Sequence, residues 1–178
     1  MKYLNLAILM SFFTIIGSTY AQEKSLITEK LSLTVPRGAH RIKELKNTRT
    51  FNFAKHSVIN KNKKSGETYI LDKAALQIYY FEEKVEKDRL IRNKESFEGD
   101  FLLAKAKNTK SYLKRINDYQ VFVGIYEIEL EQNGFITFIA VNNGYTKTLT
   151  GNMEYLKSDR RNALRTLDEL LNSIRFKK

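Results

Sequence analysis

From Tyr119 to Glu131, Phe135 to Val141 and Tyr145 to Tyr155 the chain runs in three segments rich in β-branched and aromatic residues, the composition of strands. They are separated by Asn133-Gly134 and Asn143-Gly144, a dipeptide that suits a type I′ hairpin turn because both central residues there take positive φ. The spacing predicts an antiparallel meander. If each turn is a two-residue loop, counting sets Leu130 opposite Thr137, Ile128 opposite Ile139 and Tyr126 opposite Val141. On the other side Glu129 faces Phe138 and Glu127 faces Ala140. The middle strand then offers Ile139 and Val141 to one face and Ile136, Phe138 and Ala140 to the other. Both faces of this sheet want covering.

The period changes after the meander. From Ser158 onward Leu164, Leu167, Leu171 and Ile174 fall on one helical stripe, with Arg160, Arg161, Arg165 and Glu169 outside it, which predicts an amphipathic helix over one sheet face. Beyond it, Phe176 anchors a short final strand or belongs to a frayed end. Between Lys87 and Lys110, Phe97, Phe101 and Ala104 recur at helical spacing beside Leu102 and Leu103, interrupted by Gly99. That helix is expected to cover the other face. Earlier still, the alternation Leu31, Leu33, Val35 reads as a strand ended by Pro36-Arg37-Gly38. Phe51 and Phe53, with Val58 and Ile59, suggest a second. Asn60 to Gly66 is a polar, positively charged loop, and Ala74 to Phe81 is an apolar run expected of a central strand covered on both faces. These elements predict an α+β fold, an α/β/α sandwich with a mostly antiparallel sheet.

The first 21 residues stand apart. Lys2 precedes an apolar run from Leu4 to Ile16, and Gly17 to Ala21 ends in small residues; this is the pattern of a secretory signal peptide cut before Gln22. The 13 residues of that run are too few to span a bilayer, which takes roughly 20. The remaining 157 residues, 22 to 178, are the size of a single domain. With no cysteine in the chain, there is no disulfide framework, no thiolate nucleophile and no site for a lipid anchor. The expectation is a soluble bacterial protein, periplasmic or secreted.

Lysine and arginine number 31 against 20 acidic residues, for a formal charge of +11. Lys2 is the only charge in the leader, so the remainder stays near +10. Positive charge gathers at Lys61, Lys63 and Lys64 in the loop, at Lys105, Lys107, Lys110, Lys114 and Arg115 around a turn, and at Arg160, Arg161 and Arg165 on the helix. Such a field favours an acidic protein or an anionic envelope component. Nucleic acid is not expected, because no helix-turn-helix, zinc finger or aromatic RNA-binding signature is present.

The Asn-Gly turns, the strand Asn152-Met153-Glu154-Tyr155, the helix after it and the closing Leu170-Leu171-Asn172-Ser173-Ile174-Arg175-Phe176-Lys177 resemble the end of exported bacterial members of the PsbP-like superfamily. That superfamily includes the extrinsic photosystem subunits and a Ran-binding relative. The likeness covers residues 115 to 178 and extends more loosely to Leu31–Pro36; where such proteins often carry tryptophan after the early Pro-x-Gly, this chain has Ala39. The resemblance implies a non-enzymatic binding or assembly role and carries over no site residues.

Candidate chemistry is sparse. His40 and His56 form no metal-binding pair, no serine sits in a Gly-x-Ser-x-Gly elbow, and no cofactor is expected. Glu127, Glu129 and Glu131 alternate onto one strand face at steps of about 7 Å, the material for glycosidase-like acid/base work or, more simply, a solvated face paired with Lys147. Tyr79, Tyr80 and Phe81 are consecutive and so cannot form one stacking platform. Lys61, Lys63, Lys64, Arg160 and Arg161 are the candidate partner-binding residues. The expected function is an exported binding or assembly factor of the envelope that uses a basic surface. The alternatives are an immunity or inhibitor protein plugging a secreted toxin or hydrolase, and a hydrolase working through Glu127 and Glu129.

Overall fold

Ala74–Glu82 is buried on both sides for most of its length, as its unbroken apolar run predicts, and it is an inner strand of a seven-stranded sheet. The computed structural model describes residues 24–42, 66–103 and 106–177. In chain order the strands are β1 (Lys24–Thr28), β2 (Leu31–Thr34), β3 (His40–Ile42), β4 (Gly66–Ile70), β5 (Ala74–Glu82), β6 (Lys107–Ile116), β7 (Tyr119–Glu127), β8 (Asn133–Asn142), β9 (Lys147–Leu156) and β10 (Arg175–Phe176). Helix α1 (Arg89–Leu103) precedes β6, and α2 (Arg160–Ser173) follows β9 after a 3-10 turn at Lys157–Asp159. The large sheet has the order β3-β4-β5-β9-β8-β7-β6, and every pairing is antiparallel. A small sheet, β1-β2-β10, is hydrogen-bonded separately from it.

One face of the large sheet carries the main core. Leu76 and Ile78 of β5, Leu149 and Met153 of β9, and Ile136, Phe138 and Ala140 of β8 pack there with Leu31 and Leu33 of β2 and with Leu167, Leu170 and Leu171 of α2. The other face is covered at its β7 end by α1, whose Phe97 meets Phe122 and Tyr126 edge-on at 5.7 and 6.1 Å between ring centroids. Val85, Leu90, Phe135 and Val141 complete this second cluster. Layers on both sides of the sheet make the expected α/β/α sandwich, and Ile139 and Val141 lie opposite Phe138 and Ala140 as alternation requires.

The register of the meander departs from two-residue turns. Tyr126 pairs with Phe135 and Glu127 with Gly134, so Ile128–Gln132 is a five-residue connection and Asn133-Gly134 lies inside β8. The partners differ from the expected ones by six residues. An even slip leaves every side chain on its own face, which is why the expected faces hold while the pairs do not. Gly134 serves packing instead of turning: a Cβ there would meet Tyr155 Cζ at 2.3 Å. The second Asn-Gly falls in a four-residue loop, since Val141 pairs with Thr148, and positive φ occurs at Tyr145 (53°) instead of at Asn143 or Gly144. Asn142 Oδ1 closes that loop by accepting the Thr146 and Lys147 amides, each at 2.9 Å. The tight two-residue turn is Asn117-Asp118, joining β6 to β7 with Asn117 at φ 50°.

Further corrections concern polar strands. Lys107, Lys110, Lys114 and Arg115 lie along β6, an edge strand, and not around a turn. Gly66 opens β4 instead of closing a loop. Phe51, Phe53, Val58, Ile59, His56 and most of the Asn60–Gly66 loop fall outside the described residues. Phe176 anchors β10, pairing through Leu31 and meeting Tyr119 edge-on at 5.7 Å.

Candidate functional site: a basic cleft beside the last helix

The three glutamates share no solvated face. Strand β7 ends at Glu127, which is 6% exposed, while Glu129 lies in the following connection and pairs with Lys107. Glu127 Oε2 accepts from Asn108 Nδ2 at 2.6 Å and Oε1 from the Tyr155 hydroxyl at 3.2 Å. Arg160 Nε stands 3.4 Å from Oε1, near enough for an ion pair though not aligned as a hydrogen bond. Burial, then the nearby Glu127 charge, pushes the Tyr155 phenol up to about 12, so it stays a neutral donor. The Lys147 ammonium reaches the Lys177 carbonyl, away from the glutamates. This corner ties the β7–β8 connection to the start of α2, with Lys157 Nζ donating to the Ile128 carbonyl at 2.6 Å. Its geometry is that of a structural clamp.

The candidate partner-binding residues do not form one surface. Lys61, Lys63 and Lys64 lie outside the described residues. Arg160 turns toward Glu127, whereas Arg161, the next residue, is exposed and has no ion pair among the described residues. Further along α2 a cleft of about 740 Å³ opens against the Pro36-Arg37-Gly38 turn, lined by Thr34, Pro36, Arg37, Arg165, Thr166, Glu169, Leu170, Asn172 and Ser173.

Local chemistry explains why a cleft forms there. Pro36 ends β2, and Gly38 takes φ 78°, a left-handed conformation that glycine adopts freely; together they turn the chain so that Arg37 projects exposed beside α2. Ser173 Oγ accepts the Thr34 amide at 2.9 Å and donates to the Leu170 carbonyl at 2.7 Å, stitching the helix end to β2. Arg175 Nη1 caps the same end by donating to the Asn172 carbonyl at 2.8 Å. Arg165 and Glu169 sit at opposite-charge spacing with Nε and Oε1 4.0 Å apart, and Arg37 has no ion pair among the described residues. The lining thus carries an excess of one positive charge. Arg37 and Arg165 were not singled out as partner-binding from the sequence; the Pro-Arg-Gly turn was the available signal. Among the described residues, no three of His, Cys, Asp and Glu stand together to hold a metal ion.

No protein-family profile matches the chain, and no curated protein matches it in sequence. Solved structures do match. A protein of Bacteroides thetaiotaomicron superposes with a TM-score of 0.55 at 10% identity over 88% of this chain and 49% of its own, so this chain spans about half its length. Mog1p, a Ran-binding protein of Saccharomyces cerevisiae, superposes with a TM-score of 0.52 at 10% identity over 88% of this chain and 96% of its own. Cyanobacterial PsbP from Synechocystis matches at a TM-score of 0.46, with 10% identity over 83% of this chain and 86% of its own. The fold is therefore of the Mog1 type.

Proposed function

We propose that the chain is a non-enzymatic binding or assembly factor, exported through its first 21 residues to the bacterial envelope, and that it engages an acidic partner, a protein or another anionic envelope component, through the cleft between the Pro36 turn and α2. The observation that carries this is the pairing state of the basic residues. In a chain of formal charge +11, Arg37 lines a polar cleft and is exposed, Arg161 is exposed one helical turn before the Arg165 of that lining, and neither has an ion pair among the described residues. Exposed, unneutralised guanidinium groups are suited to bidentate capture of carboxylate or phosphate. The fold supports the reading to the extent that Mog1p, which shares it, binds a protein. No helix among the described residues is long and apolar enough to cross a membrane.

The test is capture from envelope extract by the immobilised chain at low and high salt, beside the Arg37→Glu, Arg161→Glu double variant. Exposed charge pairs weaken as the Debye length falls from about 10 Å at 0.1 M salt to about 3 Å at 1 M. Capture that drops at least tenfold with salt and with charge reversal supports the proposal. Retention unchanged by both overturns it.

A further inference from the structure

The dipeptide Asn-Gly occurs twice, at Asn133-Gly134 and Asn143-Gly144, and the fold gives the two copies opposite surroundings. Gly134 is buried between two neighbouring strands, paired with Glu127 of β7 on one side and Tyr155 of β9 on the other. The Asn133 side chain beside it is fastened, its Nδ2 donating at 2.6 Å to Oε1 of Glu154, which is 2% exposed. Asn143 and Gly144 lie in the loop between β8 and β9, and both are exposed. The Asn143 amide N–H donates to the Asp118 carbonyl at 3.2 Å, whereas the Asn143 side chain and the Gly144 N–H have no hydrogen bond among the described residues.

That difference decides where a reaction can run. In an Asn-Gly pair the glycine nitrogen can attack the asparagine Cγ: the N–Cγ bond forms, the Cγ–Nδ2 bond breaks, and Nδ2 leaves as ammonia with the proton of the glycine amide. The product is a five-membered succinimide ring. Water then adds to one ring carbonyl and opens the ring, giving aspartate or, when the former peptide bond is the one cleaved, isoaspartate with the main chain routed through Cβ. Water is the sole co-reactant, and nothing is oxidised or reduced. Closing the ring requires rotation about the asparagine Cα–C bond until the nitrogen reaches Cγ, and glycine offers no Cβ to obstruct that approach. At Asn133 the rotation would break the pairing of β8 with its neighbours and leave the Glu154 carboxylate buried without that donor, a costly loss. At Asn143 it breaks no hydrogen bond of Gly144 and takes place in water.

We propose that Asn143, and not Asn133, is a site of self-modification in the folded protein, deamidating through a succinimide to aspartate and isoaspartate. Asn142, one residue earlier, is held back in two ways. Its Oδ1 accepts the Thr146 and Lys147 amides, and the residue after it is Asn143 instead of glycine. Each event replaces a neutral amide by a carboxylate. The isoaspartyl branch also lengthens the main chain of a loop whose Tyr145 carbonyl accepts the Val85 amide at 2.8 Å, the link between the meander and the approach to α1. Neither Asn143 nor Gly144 lines the α2 cleft, and the inference does not rest on the acidic-partner reading.

The experiment incubates the purified chain in mildly alkaline buffer, folded and in concentrated urea. The peptide spanning both pairs is followed by mass spectrometry, with fragmentation that locates each conversion and separates aspartate from isoaspartate. In the folded chain Asn143 is expected to convert at least tenfold faster than Asn133. In urea, where both pairs are released from the fold, the two rates should converge. Gly144→Ala adds a Cβ that would meet only side-chain atoms, the nearest being Asn142 Nδ2 at 3.3 Å; it should keep the fold and slow conversion of Asn143 at least tenfold. Equal rates in the folded chain, faster conversion at Asn133, a difference that persists in urea, or a folded Gly144→Ala chain that converts as fast as the native one each overturns the proposal. A folded chain in which neither asparagine reacts while the urea sample converts overturns it equally.

Discussion

A methyl group added at Gly151 would sit 2.2 Å from Phe138 Cζ, and the Phe138 side chain is fully buried. Gly66, Gly124 and Gly134 face Tyr79, Phe97 and Tyr155 in the same way, so four strand glycines each make room for an aromatic ring. Gly151→Ala should destabilise the protein by about 2 to 3 kcal/mol through overpacking, measured by urea unfolding. Gly99→Ala should act oppositely: the glycine is inside α1 with open space around its Cβ position, and alanine there gains about 0.5 to 1 kcal/mol of helix propensity. Glu127→Gln keeps the shape of the α2 clamp but removes the charge facing Arg160 and weakens the acceptor for Asn108 and Tyr155. A loss of about 1 to 2 kcal/mol is expected in the same measurement, tempered by the partial exposure of Arg160. None of these partnerships was legible in the sequence, because alternation says which face a residue takes and not which ring lies above it.

At the scale of elements, the two-residue strand β10 contributes more than its length suggests. Phe176 is 9% exposed, packs edge-on against Tyr119, and follows α2, whose Leu171 carbonyl accepts the Tyr119 hydroxyl. Phe176→Ala should cost about 3 kcal/mol, read as a lowered thermal midpoint with loss of the small sheet's third strand. The edge strand β6 shows the reverse relation between pattern and structure. Lys107, Lys110, Lys114 and Arg115 gave it the look of a turn, yet it pairs with β7 from Lys107 to Ile116. Lysines on an edge protect it from pairing with another chain, so they hide the strand from a hydrophobicity reading for the same reason that they are useful there. Lys110→Val with Lys114→Val should therefore produce concentration-dependent association by light scattering, with the far-ultraviolet spectrum of the dilute protein unchanged. The helices and β5 were legible because burial of a continuous face demands an apolar period; β4 and β6 were not.

For the whole molecule, the tyrosines of the core set the alkaline limit. Burial raises the Tyr155 phenol to about 12 and pushes Tyr119 and Tyr126 up as well, whereas an unfolded tyrosine ionises near about 10. The unfolded chain thus releases its protons first, and the stabilisation is complete below about pH 10 and lost as pH rises toward about 12. Cooperative unfolding in that window, with the phenolate absorbance of these three tyrosines appearing together with loss of the folded spectrum, is the expected outcome; Tyr119, Tyr126 and Tyr155 titrating near about pH 10 in a folded protein would contradict it. Taken by itself, the sequence determined the α/β/α layering, the central place of β5, the two covering helices and the face on which each meander residue lies. These follow from local periods, and a period survives any even change of register. Only the tertiary structure decided the strand partners, the burial of Glu127, the separation of Arg160 from Arg161, the cleft at Arg37 and the opposite settings of the two Asn-Gly pairs. Each of those depends on loop lengths and on contacts between residues far apart in the chain, which no local pattern records.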